Sequence, residues 1–342
     1  MAAARAPLEL TRDQILAHRR AVSALDQRLP AGPASLRRAA WAGLQDSMPR
    51  AALLSIHARV EGTRPDILDD PALVQIWGPR FSAYVVAAGD VAPFTLGRLP
   101  DDPARRRFAQ ETADRLEALL AGRTLTYGEA GRALGRNPNS LRYGTTTGRI
   151  LIRWEGARQP TIRMVPPPAI DPFAARLELA RRYFRVFGPG TAESFAGWAG
   201  LKPAPAKAAV DALEASLVRV RTPIGEGWIL AEDEAAFGAA AAPAAPARLL
   251  PSGDTLYLLQ GIDRELLVPD RDRRAQLWTS RVWPGAVLVD GEVAGTWRRA
   301  GPVLTVEPWT SLRKDRRAAV EAEAMSLPLP GLDGPIRVRW EG

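Results

Sequence analysis

TLTYGEAGRALGRNPNSLRYGTTTGRILIRWEGARQPTIRM, residues 124–164, is the stretch on which the reading of this 342-residue chain turns. Tyr127 to Leu134 reads as a helix that stops at the polar break Gly135-Arg136-Asn137-Pro138, and a second short helix opens at Asn139-Ser140. Two strand-like runs follow, Arg149 to Trp154 and Thr161 to Val165, joined by Glu155-Gly156-Ala157-Arg158-Gln159-Pro160. Helix, turn, helix and hairpin in that order predict a winged helix-turn-helix, whose second helix enters a DNA groove while the hairpin lies along the backbone. Nucleic acid becomes the leading partner, with Asn139, Ser140, Arg142, Tyr143, Arg149, Arg153 and Arg158 as candidate contacts. The competing reading of these residues is a solvated basic face.

The same order recurs downstream. Pro166-Pro167-Pro168 marks a hinge, Phe173 to Phe187 a helix, and Gly188-Pro189-Gly190 its stop. Thr191 can cap a helix ending near Leu201, residues 205 to 216 form another, and Leu217 to Val220 with Trp228 to Ala231 form a hairpin. The repetition supports both units. Upstream, helices are expected over residues 11 to 29 with Thr11 as N-cap, over Ala34 to Leu44 and over Arg50 to Val60. Phe81 to Ala87 and Val91 to Leu96 read as two strands around Ala88-Gly89-Asp90, and Asp101 to Gly122 as an amphipathic helix. After an Ala/Pro-rich linker the pattern becomes mainly strand: Thr255 to Leu259, Gly285 to Val289, Glu292 to Arg298, Val303 to Val306 and Ile336 to Trp340, with a helix from Ser311 to Ser326. Asp290-Gly291 is a hairpin turn signal.

The expected class is α+β, with tandem winged helix-turn-helix units and a C-terminal β-rich domain. The expected divisions are 1–122 (mainly helical with a hairpin), 123–168 and 169–235 (winged helices), 236–247 (linker) and 248–342 (β-rich).

Composition narrows the function classes. The net charge is +8, and Lys202, Lys207 and Lys314 are the only lysines, so arginine carries nearly all the positive charge. A GC-rich genome would produce that bias, and so would phosphate contact, which suits the guanidinium fork. The absence of cysteine excludes disulfides, thiol nucleophiles and Cys-ligated metals. His18 and His57, the only imidazoles, lie outside any metal-ligand spacing and read as helix side chains before catalysts. No apolar run reaches a membrane span, and Met1 to Leu8 lacks a signal core, so a cytoplasmic, nucleoid-associated protein is expected.

Several segments together resemble the AlkZ-like winged-helix DNA glycosylases. Gly43-Leu44-Gln45-Asp46-Ser47, then Pro49 and Ala52-Leu53-Leu54-Ser55-Ile56-His57-Ala58-Arg59, is similar to that family's signature around a catalytic Gln-x-Gln or Gln-x-Asp. Trp77-Gly78-Pro79-Arg80-Phe81-Ser82 resembles its Trp-x-x-Arg-Gly-Thr segment. Leu249-Leu250-Pro251 with Asp254 and Asp263-Arg264, then Val289-Asp290-Gly291 and Gly295-Thr296-Trp297, resemble its C-terminal pattern, the most specific part. The resemblance implies a C-shaped protein that holds duplex DNA in a basic channel and removes bases carrying alkyl adducts or crosslinks, with no metal or organic cofactor. It implies that Gln45 orients a water, that Asp46 or Ser47 assists, and that Arg80 holds the DNA backbone.

Two departures matter. Ser47 stands where the second Gln or Asp belongs, and Phe81 replaces a glycine, which would narrow or fill part of the site. For Gln45-Asp46-Ser47 the competing reading is helix capping ahead of Pro49. Trp77 and Trp297 read as core aromatics, and Arg80 as either a phosphate contact or a structural partner. The function is therefore read as a monofunctional DNA glycosylase, with a non-catalytic winged-helix DNA-binding or transcription-regulatory protein as the alternative and a protein–protein adaptor as a third class. The sequence leaves the oligomeric state open.

Overall fold

The computed structural model describes residues 6–48, 50–156, 158–332 and 334–341, and its helices start where local capping chemistry places them. Thr11 and Gln14 exchange hydrogen bonds between side chain and backbone ahead of helix Arg12–Val22, and Thr126 and Glu129 do the same ahead of Tyr127–Ala133. Asp102 caps Pro103–Leu120 and Asp171 caps Pro172–Phe187, each with proline in the first turn. The first helix stops well short of residue 29, because Ala24 turns to a left-handed φ of 54°. The next two helices are also shorter than expected, Pro33–Ala39 and Ala51–His57.

A six-stranded sheet organises the first half, in the order Leu44–Gln45, Ala83–Ala87, Leu73–Trp77, Ile150–Arg153, Thr161–Met164, Leu125–Thr126. Ala83–Ala87 does turn out to be a strand, but its antiparallel partner is Leu73–Trp77, with Leu73 opposite Ala87 and Trp77 opposite Ala83. The expected strand Val91 to Leu96 is instead a helical turn, Val91–Phe94, followed by a 3-10 turn, Leu96–Arg98. Pro93 explains the difference, since it has no N–H to give a ladder and its fixed φ suits a helical turn. The hairpin Ile150–Arg153/Thr161–Met164 is joined to the N-terminal strands through Gln75, which lies opposite Ile152. Its amide oxygen accepts from Trp154 N at 2.6 Å, so the sheet runs through the division expected at residue 122.

The second helix of the 124–164 unit is a 3-10 helix, Pro138–Thr147, opened by the Asn137 side chain. In the next unit Thr191 caps Ala192–Ala199, Pro203–Ala212 follows, and Leu217–Thr222 pairs with Gly225–Leu230. Leu8–Glu9 adds a parallel strand to that hairpin, returning the start of the chain to its middle. Tyr183 stacks on Phe187 and meets Phe195 and Trp198 at tilted angles in the largest core, which extends from Leu16 and Leu25 to Leu250 and Leu288.

The C-terminal sheet runs Ala247–Leu250, Gly285–Val289, Glu292–Ala300, Val303–Pro308, Arg337–Trp340, with helix Lys314–Met325 against it. Asp290 and Gly291 both take positive φ, 51° and 84°, as a two-residue hairpin turn requires. Thr255 to Leu259 is not a strand. Asp254 accepts from Leu256 N and opens a 3-10 turn, Thr255–Tyr257, a local side-chain bond that competes with extended structure.

Candidate active site

Gln45 ends the edge strand of the six-stranded sheet, opposite Tyr84, and is partly exposed. The Arg80 guanidinium holds it: Nη2 donates to Gln45 Oε1 at 3.1 Å while Nη1 donates to the Trp198 carbonyl at 2.7 Å. That bond fixes which end of the amide is oxygen. It leaves Nε2 facing Gly253, where an added Cβ would stand 3.3 Å from it. Arg80 and Phe81 are both left-handed, with φ of 53° and 56°. Such a conformation costs a non-glycine residue about 1–2 kcal/mol and persists only where the surroundings impose it. Here Gly200 lies under the strained turn, and a Cβ there would come within 2.9 Å of Arg80 N. The positive φ at Phe81 also gives a physical reason for glycine at the equivalent place in the resembled motif.

Gly253 is held by its neighbour. Asp254 accepts from Arg59 at both oxygens, at 2.7 and 2.8 Å, and from Ser55 Oγ at 2.6 Å, all inside the protein. Three segments far apart in sequence, around Gln45, Arg80 and Gly253, thus meet at one side chain. Sequence reasoning named Gln45, Arg80 and Asp254 but not Gly253 or the Arg59–Asp254 pair.

Asp46 faces elsewhere. Its residue is 2% exposed; Oδ1 accepts from Ala52 N and Oδ2 from Gln75 Nε2, both at 3.0 Å. Asp46 therefore closes the start of helix Ala51–His57, which agrees with the capping reading for this residue. Pro49 lies outside the described residues. Burial pushes the Asp46 carboxyl up to about 7, against the pull of the Ala52 N–H, Arg50 and Gln75. Because the folded value lies above the ordinary 3.8, folding takes up a proton, and the stability contribution present at low pH is lost as pH rises through about 7. Asp46→Asn is expected to flatten the fall in melting temperature across that range. An unchanged profile would mean that another group titrates there.

Ser47 Oγ is buried without a hydrogen-bond partner among the described residues. The candidate nucleic-acid contacts divide. Arg149 is ion-paired with Asp114 and Glu117, and Arg153 with Asp69 while Nη1 donates to Leu68 O at 2.8 Å. Arg142 rests over the rings of Trp77 and Tyr127. Asn139 Oδ1 accepts from Tyr127 Oη, and Ser140 Oγ donates to Asn137 O. Arg158 is exposed and makes no ion pair among the described residues; Tyr143 is 50% exposed. Trp77 and Trp297 are both buried, as core aromatics should be.

His18 stacks on Phe237 and His57 meets Ser326 Oγ at 3.0 Å; burial lowers each imidazole to about 4, so both are neutral at pH 7. Among the described residues no cluster of three or more His, Asp or Glu side chains could hold a metal, and no helix is long and apolar enough to cross a membrane.

A sequence model of the AlkZ-like DNA glycosylases matches residues 38–328. Among solved structures, the Streptomyces sahachiroi DNA glycosylase AlkZ is similar with a TM-score of 0.75 at 19% identity, covering 98% of this chain and 100% of that one. At that identity the likeness is one of fold. Comparison with curated proteins gave no match.

Proposed function

The chain belongs to the AlkZ-like DNA glycosylase family, and from that premise we propose that it hydrolyses the N-glycosidic bond of alkylated or crosslinked bases in duplex DNA, with Gln45 orienting the attacking water. The observation that carries the reading is the hydrogen bond by which Arg80 orients the Gln45 amide, with Nε2 turned toward Gly253. One lone pair of Oε1 remains to accept a hydrogen from water, and Nε2 can donate to a sugar or phosphate oxygen.

An N-alkylated purine is cationic and leaves as a neutral base. Water oxygen bonds to the sugar C1′ as the C1′–N bond breaks, and the water's surplus proton passes to solvent. The demand on the protein is to place that water and to stabilise an oxocarbenium-like sugar, not to supply a strong base. Ser47 suits the assisting role better than Asp46, whose two oxygens are already occupied. That occupation is also the observation favouring the non-catalytic alternative. Purified protein incubated in excess with duplexes carrying several alkyl lesions tests the choice. Abasic sites above background support the enzyme, and none across the set would leave a DNA-binding protein.

In this reading the two helix–helix–hairpin units are winged helices gripping duplex DNA, in the cytoplasm at the nucleoid, without metal or organic cofactor. Phosphate contact carries the affinity, so binding falls steeply with salt and shows little sequence preference. Arg158 and Arg153 should differ on replacement by Ala. Loss of Arg158 is expected to weaken binding and reduce the salt slope by about one, with melting unchanged. Loss of Arg153, already paired with Asp69, should lower stability by under about 1 kcal/mol and leave binding nearly intact. The reverse pattern in a salt titration would show that the Arg153 pair opens on DNA.

A further inference from the structure

A cleft of about 1040 Å³ separates the 3-10 helix Pro138–Thr147 from the start of Pro203–Ala212, the second helices of the two repeated units. Phe81, Phe108 and Tyr143 line it, and the Tyr143 ring lies 4.9 Å from Phe81 and 5.9 Å from Phe108, edge-on to both. Tyr143 remains half-exposed despite two aromatic neighbours. Of the charged residues that line it, Asp101 pairs with Arg176 and Asp102 caps Pro103–Leu120, whereas Arg105 and Lys202 are exposed and without ion pairs among the described residues, in contrast to Arg149 and Arg153. Gly200, which lines the cleft, lies against the backbone of Arg80, the residue that holds Gln45.

We propose that this cleft takes one unpaired nucleotide of the DNA, its base stacked on Tyr143 and its phosphate met by Arg105 and Lys202. The inference rests on the DNA-processing reading and names where that site receives its substrate. Aromatic faces stack on any base, and unpaired surface cations at the rim track the backbone, which is the chemistry of sequence-tolerant binding to unstacked nucleotides. The volume is that of pockets that enclose a small ligand, far above what one water or ion requires. The left-handed Phe81 fits the same purpose, since its strain is retained where it sets an aromatic wall of the cleft. Arg98 covers that wall, 4.8 Å above the Phe81 ring, and its Nε is fixed on Ala199 O at 2.9 Å.

The test uses unmodified DNA, so it is independent of base release. Affinities of the full chain are measured at one salt concentration for a fully paired duplex and for the same duplex with a single-nucleotide bulge. The bulged duplex is expected to bind about tenfold more tightly, a ratio within the range of one base–aromatic stack. Tyr143→Ala should bring the two affinities together by weakening the bulged complex far more than the paired one, and Tyr143→Phe should preserve the difference. Arg105→Ala with Lys202→Ala should weaken the bulged complex and lower its salt slope. Equal affinities for the two duplexes, or a preference that survives Tyr143→Ala, would overturn the assignment. A lost preference together with a lowered melting temperature in Tyr143→Ala is resolved by Tyr143→Leu, which fills the space without an aromatic face and must also lose the preference. Failure of the glycosylase reading would show as absence of abasic sites with this preference intact.

Discussion

Asp254→Ala is expected to destabilise the protein by about 3–5 kcal/mol, because it leaves the Arg59 guanidinium buried with no counter-charge. Both side chains are essentially inaccessible, 1% and 0% exposed, and the pair is bidentate. Ser55 Oγ loses its acceptor in the same step. Urea unfolding of the variant gives the number, and a loss under about 1 kcal/mol would mean that water reaches Arg59 in the folded state. Replacing both partners, Arg59→Met with Asp254→Leu, removes the uncompensated charge and should recover much of the stability. It should not recover Gln45's surroundings, since the Asp254 carboxylate also opens the turn that follows Gly253. Stability and base release are therefore expected to separate in the double variant.

What was legible in the sequence follows from how local each cause is. Thr11, Thr126, Asp171 and Thr191 act within three residues of themselves, and the helices they cap begin where the sequence places them. Asp290-Gly291 likewise imposes its hairpin through two backbone angles. The errors lie where a distant partner decides. Val91 to Leu96 is apolar enough for a strand, yet Ala83–Ala87 pairs backwards with Leu73–Trp77, and Thr255 to Leu259 is taken by an aspartate turn.

The site divides in the same manner. The Gln45 motif could be read from adjacent residues, but the orientation of Asp46 depends on Gln75, and the neutralisation of Arg149 and Arg153 depends on Asp114, Glu117 and Asp69. A run of arginines does not distinguish a cation facing solvent from one already engaged. Arg105 and Lys202 were passed over for the same reason: Arg105 sits in the run Arg105-Arg106-Arg107, Lys202 stands alone, and only the fold brings the two to one cleft.

Gln45→Ala is expected to reduce single-turnover base release by about a hundredfold or more, the loss typical of removing one positioned hydrogen-bonding group from a reacting centre. Duplex affinity should change little, because the side chain's fixed contact is with Arg80 and not with a surface cation row. Gln45→Glu sharpens the test. A carboxylate there keeps the Arg80 interaction and can still accept a hydrogen from water, but it lacks the amide's N–H donors. If accepting from water is the essential act, Gln45→Glu retains most activity; if donation by Nε2 matters, it falls with Gln45→Ala. Ser47→Ala should cost about tenfold if its unpartnered hydroxyl shares the water. Asp46→Asn should leave the rate nearly unchanged near neutral pH, since both carboxylate oxygens face the helix start and Gln75. A large rate loss in Asp46→Asn with Gln45→Ala still active would reverse the assignment and make the buried carboxyl the reacting group.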